Sequence, residues 1–142
     1  MRADERVNCP LCGIAGLLLP GAAWDWRRKK RLAFPGLRLR LEYDEYNDRF
    51  GELLPRFGTI KRCLRTRTCD FWVLVRLDER LEYQGCAYEY LLLRSRWQGH
   101  EIGDRQPTSV YILLVPIPGE VRPGFRVGQL EHVAWGVTHS LR

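Results

Sequence analysis

Strand-forming segments follow one another from residue 60 to the end of the chain, and this succession limits the fold more than any other feature. Apolar or alternating runs are separated by short breaks rich in glycine and proline, which mark turns between strands. The runs cover residues 60–68, 71–77, 86–97, 110–115 and about 133–139. The pattern predicts a sheet of mostly antiparallel strands.

A further strand is predicted upstream, over Leu37–Tyr43, where apolar and charged residues alternate. This alternation is typical of a strand with one buried and one wet face. By contrast, Leu91–Leu93 and Val110–Val115 are continuous apolar runs. Such runs need cover on both faces, from a helix or a second sheet layer.

Two helices are predicted to supply that cover. A short basic helix is expected over Trp24–Phe34, ended by Pro35 and Gly36. A second is expected to begin at Asp44, because the apolar residues that follow recur at helical spacing. The predicted fold is α+β, a mostly antiparallel, strongly curved or barrel-like sheet of five to seven strands with one or two short helices.

The chain has the length of one ordinary domain, with 142 residues of which 45% are hydrophobic. This composition excludes wholesale disorder. Residues 1–23 are rich in glycine and proline and are predicted to form an arm, with the domain over 24–142. No apolar stretch approaches the roughly 20 residues that span a bilayer, and the start lacks the features of a secretory signal. A cytoplasmic protein with no membrane association is expected.

Positive charge is concentrated in the first half of the chain. Residues 1–71 contain fifteen Lys or Arg and nine Asp or Glu, whereas residues 72–142 contain eight of each. Such an excess favours an anionic partner, nucleic acid or an acidic protein surface. The alternative is a solvated basic face with Glu42 or Asp70 as ion-pair partners. The predicted contact residues are Arg27, Arg28, Lys29, Lys30, Arg31, Arg38, Arg40, Lys61, Arg65 and Arg67.

The segment Cys9-Pro10-Leu11-Cys12-Gly13 resembles the knuckle of zinc ribbons and rubredoxin-like sites, in which two cysteines bind the metal. The resemblance covers five residues and implies zinc as a cofactor of Cys9 and Cys12. A tetrahedral site needs two further ligands. An inert pair or a lone dithiol is the alternative.

The remaining ligands are not obvious, although Cys63, Cys69, Cys86 and the three histidines are available. If one continuous strand carries Cys63 and Cys69, they lie roughly 20 Å apart, too far for one zinc ion. Lys61, Cys63 and Arg65 would then face the same side of that strand. The site would need one cysteine and one histidine from distant strands, or a second chain that completes the arm.

A polar loop follows the predicted strand 86–97. It brings two arginines, a tryptophan, a histidine and two carboxylates close together in sequence, and loops on rigid sheets often carry binding groups. We consider ligand or partner contact by Arg94, Arg96, Trp97 and His100. The alternatives are catalysis by His100, Glu101 and Asp104, and a plain connection in which Asp104 accepts backbone hydrogen bonds.

Three functions therefore remain open. The first is a small non-enzymatic module that binds nucleic acid, or another acidic partner, through the basic half of the chain. The second is a hydrolase-like or transferase-like enzyme that uses the loop around His100. The third is a subunit that stabilises another chain. The charge asymmetry favours the first.

Overall fold

The computed structural model describes residues 18–21, 24–25, 30–43, 57–65, 71–95, 101–127, 130 and 132–142. The strands in these ranges are β1 (Leu19–Pro20), β2 (Trp24–Asp25), β3 (Lys30–Arg31), β4 (Arg38–Tyr43), β5 (Phe57–Arg65), β6 (Phe71–Tyr83), β7 (Cys86–Ser95), β8 (Thr108–Val115) and β9 (His132–Ser140).

Strands β4 to β9 form a closed antiparallel barrel in which each strand pairs with the next along the chain. Closure comes from the pairing of β9 with β4, which runs from Leu39 opposite Ser140 to Tyr43 opposite Gly136. The short strand β1 lies outside the barrel and pairs with the end of β5. Each of the six barrel strands overlaps one of the six predicted runs, and the barrel-like antiparallel sheet is confirmed.

The interior of the barrel is an apolar core. It takes alternate residues from successive strands, such as Val73 and Val75 on β6 and Leu91 and Leu93 on β7. These four side chains are at most 2% exposed. Since side chains alternate between the two faces of a strand, their neighbours point outward.

A second apolar cluster lies on the outer face of the barrel. Trp72 on β6, Leu92 on β7 and Leu113 on β8 belong to it. Leu18 and Val121 cover these strands from outside, and both are fully buried. The continuous apolar runs in β7 and β8 are therefore covered on both faces. The barrel interior covers one face, and the layer that contains Leu18 and Val121 covers the other.

The covering layer is held together by backbone hydrogen bonds. The Leu18 N–H donates to the Phe125 carbonyl at 2.8 Å, and the Gly124 N–H donates to the Leu18 carbonyl at 2.7 Å. Residues 18–21, which the sequence assigned to the arm, thus pack on the barrel through Leu18 and strand β1. The packed domain extends at least as far as residue 18.

The helix predicted over Trp24–Phe34 is replaced by two short strands. Within Trp24–Phe34, β2 and β3 form an antiparallel ladder with Trp24 opposite Arg31, so this prediction was wrong. The region predicted as a helix from Asp44 lies outside the described residues. The part of the chain that the structure describes contains a 3₁₀ turn at Pro118–Glu120 but no α-helix, and no helix there could cross a membrane.

The ladder has a physical reason. The Gly21 N–H donates to the Cys63 carbonyl at 3.2 Å, and the Gly36 N–H donates to the Ile60 carbonyl at 2.7 Å. Positions 60 and 63 of one strand are about 10 Å apart, whereas a helix over Trp24–Phe34 would be about 16 Å long. The two ends of the segment 21–36 are therefore close together on β5. A ladder that folds back keeps its ends close, whereas a straight helix separates them.

Candidate functional site

A bulge in β5 takes Lys61 off the face of the strand that carries Cys63. The pairing with β6 skips Lys61, because Ile60 lies opposite Val75 and Arg62 opposite Leu74. Lys61 is exposed, whereas Cys63 is only 8% exposed and belongs to the interior. The prediction that these two share one face was wrong, because the bulge interrupts the alternation.

The segment from Gly21 to Gly36 is anchored on β5 at both of its ends, at Cys63 and at Ile60. Two of the predicted contact residues in this segment, Lys30 and Arg31, lie in β3. The positions of β5 between the two anchors are Lys61 and Arg62, and Arg65 is the last residue of the strand. We call Lys61, Arg62 and Arg65 the basic surface.

The described cations of the basic surface have no described acidic partner. Among the described residues, no carboxylate pairs with Lys61, Arg62 or Arg65. Arg65 is exposed, and its stem crosses Gly21, where an added Cβ would lie 2.5 Å from Arg65 Cγ. Of the other predicted contacts, Lys30 and Arg31 lie in β3, and Arg27, Arg28, Lys29 and Arg67 lie outside the described residues.

Arg38 stands on the outer face of β4 but is neutralised by an acid. Its Nη1 donates to Asp78 Oδ1 at 2.6 Å and its Nη2 donates to Asp78 Oδ2 at 2.7 Å. Nη1 also donates to Thr59 Oγ1 at 2.9 Å. The hydrogen bonds from Arg38 lower the pKa of Asp78, and the same pair raises the pKa of Arg38.

Arg40 is paired as well. Its Nη2 lies 3.1 Å from Glu42 Oε1, and the other oxygen of Glu42 lies 3.3 Å from His139 Nε2. Glu42 as a partner agrees with the solvated-face alternative, while Asp70 lies outside the described residues. Arg38 and Arg40 therefore carry less uncompensated charge than the sequence pattern suggested.

Arg94 is not part of an exposed loop. It lies in β7, is 1% exposed, and sits in the outer cluster with its guanidinium carbon 4.2 Å from the Tyr111 ring centre and 5.3 Å from that of Trp72. It stabilises the packing of the outer face and is sheltered from an external ligand. Arg96, Trp97 and His100 lie outside the described residues.

Glu101 and Asp104 take part in a turn. The Asp104 N–H donates to the Glu101 carbonyl at 3.1 Å, and Asp104 Oδ1 accepts from the Arg105 N–H at 2.7 Å. The Glu101 carbonyl also accepts from Thr108 Oγ1 at 3.0 Å. This arrangement matches the plain connection considered from the sequence. A catalytic role for His100 stays a prediction.

The zinc hypothesis falls mostly outside the described residues, which include neither Cys9, Cys12 nor Cys69. Of the described cysteines, Cys63 is buried and Cys86 is exposed. Within the described ranges no group of three or more His, Cys, Asp or Glu side chains could hold a metal ion.

The chain was compared with protein families, with curated proteins and with solved structures. None of these comparisons found a match.

Proposed function

We propose that this chain is a non-enzymatic binding domain that contacts nucleic acid through the basic surface. The observation that carries the proposal is the pair of hydrogen bonds that anchors Gly21 and Gly36 on β5 on either side of Lys61 and Arg62. The anchors bring the two ends of the segment that contains Lys30 and Arg31 next to Lys61 and Arg62.

The chemistry of these residues suits a phosphate backbone. Arginine can hold phosphate through two parallel hydrogen bonds, and each neutralised phosphate releases counterions, which drives binding. Lys61, Arg62 and Arg65 have no carboxylate partner among the described residues. This supports the proposal that they contact an external anion.

The packing of the barrel also favours a surface site. The described inward-facing side chains of the strands are mostly apolar and buried. Small six-stranded barrels have interiors that side chains fill. A partner that meets this domain through charge would therefore contact its outer surface.

The test is binding of a fluorescent, random-sequence single-stranded oligonucleotide measured by anisotropy across a salt series. We expect affinity to fall steeply as salt rises, and Lys61→Gln to reduce the slope of log affinity against log salt by about 1. Arg122→Gln is the matched control, because Arg122 is exposed on the connection after β8 and carries the same charge. Absence of binding at low salt, or binding that salt does not affect, contradicts the proposal.

A further inference from the structure

Three planar side chains stand in one row across the outer face of the barrel. Arg40 on β4 lies opposite Phe57 on β5 and opposite His139 on β9. Leu39 and Leu41 are buried in the core, so Arg40 between them points outward. Directly opposite residues on neighbouring strands have Cβ atoms about 5 Å apart. The three side chains therefore start from adjacent positions on the outer face of the sheet.

This row is accessible from solvent. Phe57 is 40% exposed, although it is a large aromatic residue on a sheet that has two apolar clusters in which to bury such side chains. The side chain of Arg40 is 42% exposed and that of His139 is 26% exposed. An exposed aromatic ring next to arginine is a common arrangement where proteins bind unpaired bases.

Glu42 lies close to two members of the row. Its Oε1 is 3.1 Å from Arg40 Nη2 and its Oε2 is 3.3 Å from His139 Nε2. This carboxylate offsets the charge of Arg40. The row therefore offers flat surfaces more than net charge, which distinguishes it from the basic surface.

We infer that Phe57, Arg40 and His139 form a platform on which unpaired bases of single-stranded nucleic acid stack. This inference rests on the proposed function and names its substrate class. A base in a duplex already stacks on its neighbours, whereas an unpaired base presents its faces to a protein. Because β5 carries both Phe57 and Lys61, about 13 Å apart, one short strand reaches the platform and the basic surface together.

The experiment separates stacking from charge. We compare wild type and Phe57→Ala for binding to an oligonucleotide and to the same oligonucleotide with abasic sites, which keeps the phosphates and removes the bases. Phe57→Ala is expected to weaken binding of the intact strand about 10-fold, since stacking of one base contributes that much. The abasic strand is expected to bind both proteins equally, with the same salt slope as the intact strand.

Two further variants complete the design. Phe57→Trp keeps a stacking surface and is expected to bind within about 3-fold of wild type. Ile117→Ala removes another exposed apolar side chain, 58% exposed and on the connection after β8, and is expected to have no effect. Thermal unfolding of each variant verifies that the barrel is intact, and the abasic comparison on wild type needs no variant at all.

The outcomes distinguish this inference from the proposed function. Salt-dependent binding that is equal for intact and abasic strands, and unchanged by Phe57→Ala, overturns the platform and leaves the basic surface supported. A polyglutamate chain that competes as well as the oligonucleotide, charge for charge, also overturns the platform and favours an acidic protein as the partner. Absence of any binding overturns both.

Discussion

Arg38 and Asp78 face each other across β5, where Arg38 Nη1 donates to Asp78 Oδ1 at 2.6 Å and Arg38 Nη2 donates to Asp78 Oδ2 at 2.7 Å. The pair connects β4 to β6 above the strand that separates them. The two side chains are 42% and 45% exposed, so solvent screens the interaction. The coupling energy of such an exposed pair is about 0.5 kcal/mol, toward 1 kcal/mol when the geometry is bidentate.

The Arg38–Asp78 pair predicts a pH dependence of stability. Hydrogen bonds from Arg38 lower the pKa of Asp78 in the folded protein, so the unfolded chain binds this proton more readily. The stabilisation is fully present above the unfolded pKa, about 4, and is lost as the pH falls through the lower folded value. A double-mutant cycle with Arg38→Gln and Asp78→Asn, measured by urea unfolding, should give coupling at pH 7 and none in strong acid. Equal coupling at both pH values contradicts the prediction.

Gly103 is predicted to tolerate no side chain. Its φ is +97°, and an added Cβ would lie 2.1 Å from the Leu32 carbonyl oxygen, which belongs to the backbone. Gly124 has the same φ of +97° but no atom within 4 Å of an added Cβ, so Gly124→Ala measures the conformational cost alone, about 1 kcal/mol. Gly103→Ala should lower the free energy of unfolding by about 3 kcal/mol or more. Equal losses in urea titrations of the two variants would show that the contact with Leu32 is relaxed.

Arg94→Ala is predicted to act on stability. The guanidinium lies over the rings of Trp72 and Tyr111, and the residue is 1% exposed. Truncation removes this cation–π contact and leaves a cavity, at a cost of roughly 3 kcal/mol. Arg105→Ala serves as the control, since Arg105 is exposed and should change stability by less than about 0.5 kcal/mol. If the variant instead lost oligonucleotide affinity and kept its melting temperature, Arg94 would contact the nucleic acid and the stability prediction would be wrong.

The two described cysteines should differ in reactivity. Cys86 is exposed next to the Gln84-Gly85 turn, whereas Cys63 is 8% exposed in the barrel interior. Alkylation of Cys63 requires opening of the barrel, which should slow it at least roughly a thousandfold relative to Cys86. Peptide mass spectrometry after timed iodoacetamide treatment measures both rates in one sample. Comparable rates would mean that β5 separates from its neighbours under native conditions.

Local sequence patterns were sufficient to predict the barrel strands. The alternation in β4 and the apolar runs in β7 and β8 depend only on which residues are adjacent, and these strands are observed. The predicted break at Gln84-Gly85 is a two-residue turn with φ values of 50° and 80°. A tight turn of this kind is determined by its own residues.

Features that depend on strand neighbours could not be predicted in the same way. Asp78 is 40 positions from Arg38, and nothing in either local pattern indicates that their strands lie one apart. The same holds for Gly21 and Cys63, whose contact replaces the expected helix with a ladder. Strand β6 extends to Tyr83, past the predicted end at Leu77, because its pairing with β7 resumes at Leu81 after an irregularity that follows Arg76.

The pairing of β9 with β4 has a consequence for how the chain folds. Leu41 and Thr138, which it places opposite each other, are about 100 residues apart in sequence. Bringing such distant segments together loses conformational entropy before any contact compensates, which slows folding. Arg40 and His139 meet only through this pairing, whereas the anchors of the basic surface join residues much closer along the chain. We therefore expect the pairing of β9 with β4, and with it the approach of His139 to Arg40, to form later in folding than the contacts of Gly21 and Gly36 with β5.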